Sequence, residues 1–406
     1  MSPTPLVSFC IPTFNRSRYL ESLLGSLEEP LAAFPYPYEI VVADNASTDR
    51  TPAVIEAFAA RLPIRAIRHA ENIGGFANFQ FVTGEAAGRY MVYIADDDSL
   101  MVEHVASTIA RMEADPGIAV VYAPQVTLDL VADKDYGTFY NVPRDFRVAQ
   151  GEHRELLDVI LRHHVFPEVQ ITRTDVMRRV MPRINEQAFF AFVHAADYLA
   201  HGAVLVQQQP FYVQITNYFA DDVREQLGNQ EVEYAWDRYR GGLDYLLARA
   251  GDLPLEERLG LQLRIQQMIA TRMSVALRLR IGAGRNPVDT HMIAMRLKGM
   301  GYEAALPVPM PRLALEAALH FLLNDPVLAR GTDTVLCAGP CEPELKAYLE
   351  ARSPRPVRFE PHLPPRDSLS RTLVFLRSAT GGVAYHDKDR GVRVVAEAEL
   401  MARFPQ

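Results

Sequence analysis

At 406 residues the chain exceeds one ordinary domain, and its 49% hydrophobic content is ample for a large core with smaller satellites. A formal net charge of −8 argues against a general nucleic-acid binder, which would carry a basic excess. No run approaches 18 apolar residues and the N-terminus lacks a basic, apolar and small-residue leader pattern, so the expected location is the cytoplasm.

The first predicted element is the strand Leu6 to Ile11. It leads into Pro12-Thr13-Phe14-Asn15-Arg16 and then a helix whose Leu20, Leu23, Leu24 and Leu27 share one face. A second strand, Tyr38 to Ala43 (YEIVVA), ends in the polar turn Asp44-Asn45-Ala46-Ser47-Thr48-Asp49, and a helix follows over Thr51 to Leu62. The third unit is the strand Ile64 to Ile67, the loop Glu71-Asn72-Ile73-Gly74-Gly75 and the helix Phe76 to Ala87. The apolar run Tyr90 to Ala95 (YMVYIA) then delivers Asp96, Asp97 and Asp98, with a helix expected from Ser99. Strands alternating with helices predict a parallel sheet, and ligands bind such sheets beyond the carboxyl ends of the strands, where each of these polar clusters falls.

Three carboxylates at a strand exit attract a hard divalent cation such as Mg²⁺ or Mn²⁺. Such ions are usually held by one or two carboxylates plus the oxygens of a bound diphosphate, which points to a nucleotide-diphosphate substrate. The competing reading is an acidic turn that caps the next helix.

The segments CIPTFNRSRYLESLLGSL, YEIVVADNASTDRT, ENIGG and AAGRYMVYIADDD, in this order and spacing, resemble the inverting family 2 glycosyltransferases of the GT-A fold. Within that family they are most similar to the abequosyltransferase-like group. The likeness is strong over residues 6–125 and weak to about 218. It implies a Rossmann-like mixed sheet, with Pro12, Thr13, Asn15, Arg16 and Asp44 around the nucleotide and Asn72, Gly74 and Gly75 in a loop that closes on it. It also implies Asp96 and Asp97 on the donor, and Asp96 and Asp98 on Mn²⁺ or Mg²⁺. Asp96 and Asp98 suit a shared role because alternate residues of an extended strand point the same way; Asp97 stays ambiguous, and Ala95 stands where the commoner family pattern has a further acid. Implied partners are a nucleotide-diphosphate sugar donor and a glycan, lipid-linked or protein acceptor.

Inverting transfer needs a base for the acceptor hydroxyl. The family places it at a helix start before a Gly, strand and Pro segment, a layout matched by Phe189 to Tyr212, which makes Asp197 the candidate. Ala196 precedes it where an acidic pair is usual. Glu186 is the reserve, with His194 or His201 assisting. An unpaired Asp197 also leaves room for a non-catalytic nucleotide- or glycan-binding module.

Between residues 126 and 186 the alternation weakens, with short strands at Gln125 to Leu130 and Thr138 to Val142, a helix over Glu152 to His163 and a strand over Phe166 to Ile171. Three domains are expected: 1–222 the transferase domain, 223–330 a helical region and 331–406 a small α/β domain. Between Arg258 and Lys298 there are seven Arg and one Lys against one acid, Asp289. That stretch is expected to lie on an anionic membrane or to form a helical-bundle or homo-oligomer interface. Cys10, Cys337 and Cys341 are too few and too uneven for a disulfide framework.

Overall fold

The computed structural model of the chain describes residues 4–181, 187–221, 236–377, 385–387 and 389–406. The chain divides into two compact units, one of Met1–Leu227 with Asp237–Met268, the other of Gly228–Trp236 with Ile269–Gln406. The first unit therefore takes in helical residues beyond the expected domain end.

In the first unit, β1 (Val7–Thr13), α1 (Ser17–Ala32), β2 (Tyr38–Asp44), α2 (Thr51–Ala59), β3 (Ile64–Arg68), α3 (Gly75–Gly84) and β4 (Tyr90–Tyr93) form the expected strand and helix alternation. Residues Val7 to Ile11 are fully buried on both faces, the signature of a strand inside a parallel sheet covered by helices. The predicted face of α1, Leu20, Leu23, Leu24 and Leu27, is wholly buried and shares a core with Phe9, Ile11 and Val42. After β4 come β5 (Ser99–Leu100), α4 (Val102–Ala114), β6 (Ile118–Tyr122), β7 (Gln125–Asp129), β8 (Lys134–Thr138), β9 (Phe146–Val148) and α5 (His153–His163). Then follow β10 (Gln170–Arg173), α6 (Thr174–Val180), α7 (Phe190–Tyr198), β11 (Ala203–Val206) and β12 (Tyr212–Asn217).

The main sheet runs β3-β2-β1-β4-β10-β6-β11-β9, and a smaller one runs β5-β12-β7-β8. β1, β2, β3 and β4 are parallel; β10 is antiparallel to both β4 and β6. The amino end of β10 thus lies at the same sheet edge as the carboxyl ends of β1, β2 and β4. Two expected boundaries shift. Ser99 starts a strand pairing with Val213, not a helix, and α4 begins at Val102. The strand expected from Phe166 begins only at Gln170, because Pro167 has no N–H to give a ladder and the Glu168 N–H turns back to the Phe166 carbonyl at 2.9 Å.

The first unit also holds the helix Trp236–Arg249 from Asp237 on, and the helix Leu255–Gly282 as far as Met268. Arg264 gives its guanidinium to Asp158 of α5 at 2.6 Å, whereas Leu255, Leu259 and Leu263 at four-residue spacing are exposed. In the second unit Arg280 has no exposed surface and bonds Thr290 Oγ1 at 3.1 Å, with Asp289 at 3.5 Å. Both guanidiniums are thus engaged by protein acceptors, Arg280 fully buried and Arg264 with 35% of its side chain exposed. Among the described residues no helix is long and apolar enough to cross a membrane. The second unit carries a five-stranded sheet, β14-β13-β15-β17-β16, formed by β13 (Thr334–Ala338), β14 (Val357–Glu360), β15 (Thr372–Leu376), β16 (Tyr385–Asp387) and β17 (Val392–Ala396). Cys337 and Cys341 are free thiols there, as Cys10 is in β1.

Candidate functional site

The carboxyl edge of the main sheet gathers three loops. The first follows β1: Asn15 adopts a left-handed backbone (φ 52°), a conformation that Asn tolerates better than most residues. This turn lets its N–H reach Ser47 Oγ at 2.8 Å while its side-chain oxygen accepts from the Thr48 N–H at 2.7 Å. Asn15 thereby ties the β1 loop to the β2 loop. Pro12 and Thr13 end β1, and the Thr13 carbonyl accepts from the Asn45 N–H at 2.9 Å.

Asp44, the last residue of β2, is 2% exposed. One oxygen accepts from the Ser47 N–H at 2.9 Å and the other faces Arg68 Nε at 3.4 Å, the residue opposite it in the parallel ladder. The β3 loop is drawn in by Asn45, whose amide donates to Asn72 Oδ1 and accepts from the Ile73 N–H, both at 2.9 Å. Asn72 Oδ1 also accepts from the Gly74 N–H at 2.8 Å, and Gly74 takes a φ of 91° that a side chain would resist; Gly75 opens α3. Sequence reasoning missed Asn45 and Arg68. The signal for Arg68 was available, since parallel pairing of β2 with β3 sets the two strand ends side by side.

The acidic triplet lies beyond β4 in a turn closed by the Asp98 N–H to the Ala95 carbonyl at 3.2 Å. Strand alternation therefore does not govern it, and the alternation that grouped Asp96 with Asp98 does not apply to this turn. Asp98 turns onto β12: its oxygens accept from the Tyr212 hydroxyl at 2.8 Å and the Ile215 N–H at 2.9 Å. Burial first, and then Asp98, push the Tyr212 phenol well above its ordinary range, keeping it a donor. Asp96 and Asp97 instead share Arg16, at 3.4 Å for Asp96 and in a closer contact for Asp97. The Asp97 side chain is the more open of the two, 16% exposed against 8%.

Among the described residues no group of three or more His, Cys, Asp or Glu side chains could hold a metal ion. Two adjacent carboxylates, Asp96 and Asp97, fit a Mg²⁺- or Mn²⁺-class cation whose shell is completed by substrate phosphate and water, the usual arrangement for such ions, and do not form an all-protein cage.

Asp197 lies elsewhere in character. The expected helix start falls at Phe190, and Asp197 is the penultimate residue of α7, 1% exposed. Its carboxylate accepts from the Tyr245 hydroxyl and from Arg249, each at 2.8 Å. Those are the contacts of a buried clasp between two helices. Glu186 lies outside the described residues, and His201 is half-buried in the turn after α7. His194 is 1% exposed, and burial lowers its pKa from 6.5 to about 4, the charge of Asp197 opposing.

That burial has a stability consequence. The unfolded chain takes up a proton near the ordinary histidine pKa of 6.5, whereas the folded chain resists until about 4, so the contribution is complete above 6.5 and is lost as pH falls toward 4. His194→Leu is expected to flatten the drop in melting temperature between about pH 7.5 and about pH 4.5; an unchanged drop would assign it to other groups.

The family model described as "Glycosyl transferase family 2" matches residues 8–163. Abequosyltransferase RfbV of Salmonella typhimurium is 34% identical over 128 residues, which are 31% of this chain and 38% of that protein. Poly(ribitol-phosphate) beta-N-acetylglucosaminyltransferase TarS of Staphylococcus aureus is 30% identical over 108 residues, 26% of this chain and 18% of that protein. The chain thus spans well under half the length of these relatives. Among solved structures, TarS 1-349 in complex with UDP-GlcNAc aligns with a TM-score of 0.42 at 16% identity, over 74% of this chain and 90% of that one. A mannosyltransferase from Pyrobaculum calidifontis in complex with GDP-Man and Mn²⁺ aligns with a TM-score of 0.41 at 18% identity, over 78% and 88%.

Proposed function

Because residues 8–163 match the model of glycosyl transferase family 2, we propose that the chain transfers a sugar, with inversion, from a nucleotide-diphosphate sugar to an acceptor hydroxyl. The single observation that carries the reading is the convergence of Arg16, Asp44 and the Asp96-Asp97 turn at the carboxyl edge of one sheet, where such sheets bind ligands.

In this reading the loops after β1, β2 and β3, locked together by Asn15, Asn45 and Asn72, hold the nucleotide in a preformed cradle. Arg16, kept over the acidic turn by Asp96 and Asp97, is already aimed where a diphosphate arrives and needs no reorganisation to meet it. Asp97, with Asp96 beside it, would hold the divalent cation. When bound, that ion supplies positive charge to the departing diphosphate. Asp98 acts through structure, fixing the turn to β12.

The acceptor is a hydroxyl of a glycan, a lipid-linked carrier or a protein, in bacterial surface-polysaccharide or glycoprotein assembly on the cytoplasmic side of the membrane. The names of RfbV and TarS support this setting. The test is turnover of UDP-, GDP-, CDP- and dTDP-sugars with Mn²⁺, read as nucleoside diphosphate released; no release from any of them, with no binding of the nucleotides, would end the reading.

A further inference from the structure

We propose that Glu168 is the general base of the transfer; this rests on the transferase reading above. α7 begins with Phe190 and Ala191, so its start offers no carboxylate. Glu168, in the turn before β10, supplies one. β10 runs antiparallel to β4 with Ile171 opposite Val92, so the turn before β10, which holds Glu168, lies at the same sheet edge as the acidic turn after β4. Glu168 is exposed at that edge. Its position is set from behind, by the turn to the Phe166 carbonyl at 2.9 Å and by the Phe166 ring, which packs on Phe189 and Phe192 at 5.5 Å each.

A second observation places Glu168 beside the triplet. The Tyr93 phenol is raised above its ordinary range by burial first, and then by Asp96, Asp97, Asp98 and Glu168 together. Tyr93 thus lies within the fields of all four carboxylates. Between Tyr93 and the start of α7 stands an aromatic wall: Phe79 meets Tyr93 at 4.8 Å, and Phe76, 44% exposed, meets Phe190 at 6.0 Å. A wall of ring faces beside a carboxylate suits an acceptor sugar, whose C–H face packs on aromatics while its hydroxyl meets the base.

In the step, the acceptor oxygen forms a bond to the anomeric carbon as its proton passes to a Glu168 carboxylate oxygen. The bond from the anomeric carbon to the diphosphate oxygen breaks, and its electron pair leaves with the diphosphate.

The experiment compares wild type, Glu168→Gln and Glu168→Asp, with calorimetric titration of UDP, CDP, GDP and dTDP, and with turnover of whichever donor the wild type uses. Glu168→Gln should bind the nucleotide within roughly twofold of wild type while kcat falls at least ~10²-fold, and Glu168→Asp should recover part of the loss. A Glu168→Gln kcat within about threefold of wild type overturns the assignment while leaving the transferase reading intact. Loss of nucleotide binding in Glu168→Gln also overturns it, since Glu168 would then belong to the donor subsite. A wild type that neither binds nor turns over any of these overturns both.

Discussion

Asp97→Ala is expected to lower kcat/KM by about 10²–10³-fold, the scale on which removal of one preorganised charge-stabilising group acts. Its fold should survive, because Asp97 is partly open and its neighbour Asp96 still holds Arg16. Asp98→Ala is the contrasting variant. It leaves the Tyr212 hydroxyl and the Ile215 N–H without their acceptor, a loss of about 1–3 kcal/mol for each donor left unsatisfied in the interior. Asp98→Ala should therefore lower the melting temperature clearly, and Asp97→Ala should not. Calorimetric titration of a nucleoside diphosphate with and without Mn²⁺ separates them further: Mn²⁺ should strengthen binding to wild type and do so only weakly for Asp97→Ala. Full Mn²⁺ enhancement in Asp97→Ala, with its loss in a stably folded Asp98→Ala, would return the ion to Asp98.

The second large effect concerns Asp197, where stability and chemistry part company. Removing one partner of a buried ion pair costs about 3–5 kcal/mol because it strands the other charge. Arg249 keeps 31% of its side chain exposed and can recover water, so Asp197→Ala is expected at the lower end of that range. Asp197→Asn retains an acceptor for the Tyr245 hydroxyl and should lose less. In neither variant should kcat per folded molecule change by more than roughly threefold, measured at a temperature well below the variant's own melting point. A normal melting temperature with kcat reduced ~10²-fold or more would make Asp197 the base after all.

These two cases mark what the sequence carried. Continuous apolar runs and the leucine face of α1 placed β1, β2, β3, β4 and their helices within a few residues, because a parallel sheet buries both strand faces and its loops must be polar. Asn15, Asp44, Asn72 and the acidic triplet were legible as loop residues for the same reason. Their partners were not. Whether Asp98 faces the crevice or β12 depends on a chain segment more than a hundred residues later, met through Tyr212 and Ile215. Asp197 was read as the candidate base without its partners Tyr245 and Arg249, which lie on a helix some fifty residues on. Glu168 escaped notice because the strand was expected to begin at Phe166, which would have carried residue 168 into the ladder. The turn at Pro167 leaves it at the sheet edge instead.

The central claim, transfer of sugar from a nucleotide-diphosphate donor at the carboxyl edge of the main sheet, is tested most directly by product stoichiometry. Wild-type protein is incubated with UDP-, GDP-, CDP- and dTDP-sugars and Mn²⁺, and both the nucleoside diphosphate and the anomeric configuration of the transferred or released sugar are measured by NMR. The account predicts one nucleoside diphosphate released per sugar, with inverted configuration, from one nucleotide class, and loss of that release in Asp97→Ala. Release of nucleoside monophosphate, retained configuration, or turnover that survives Asp97→Ala undiminished would contradict it.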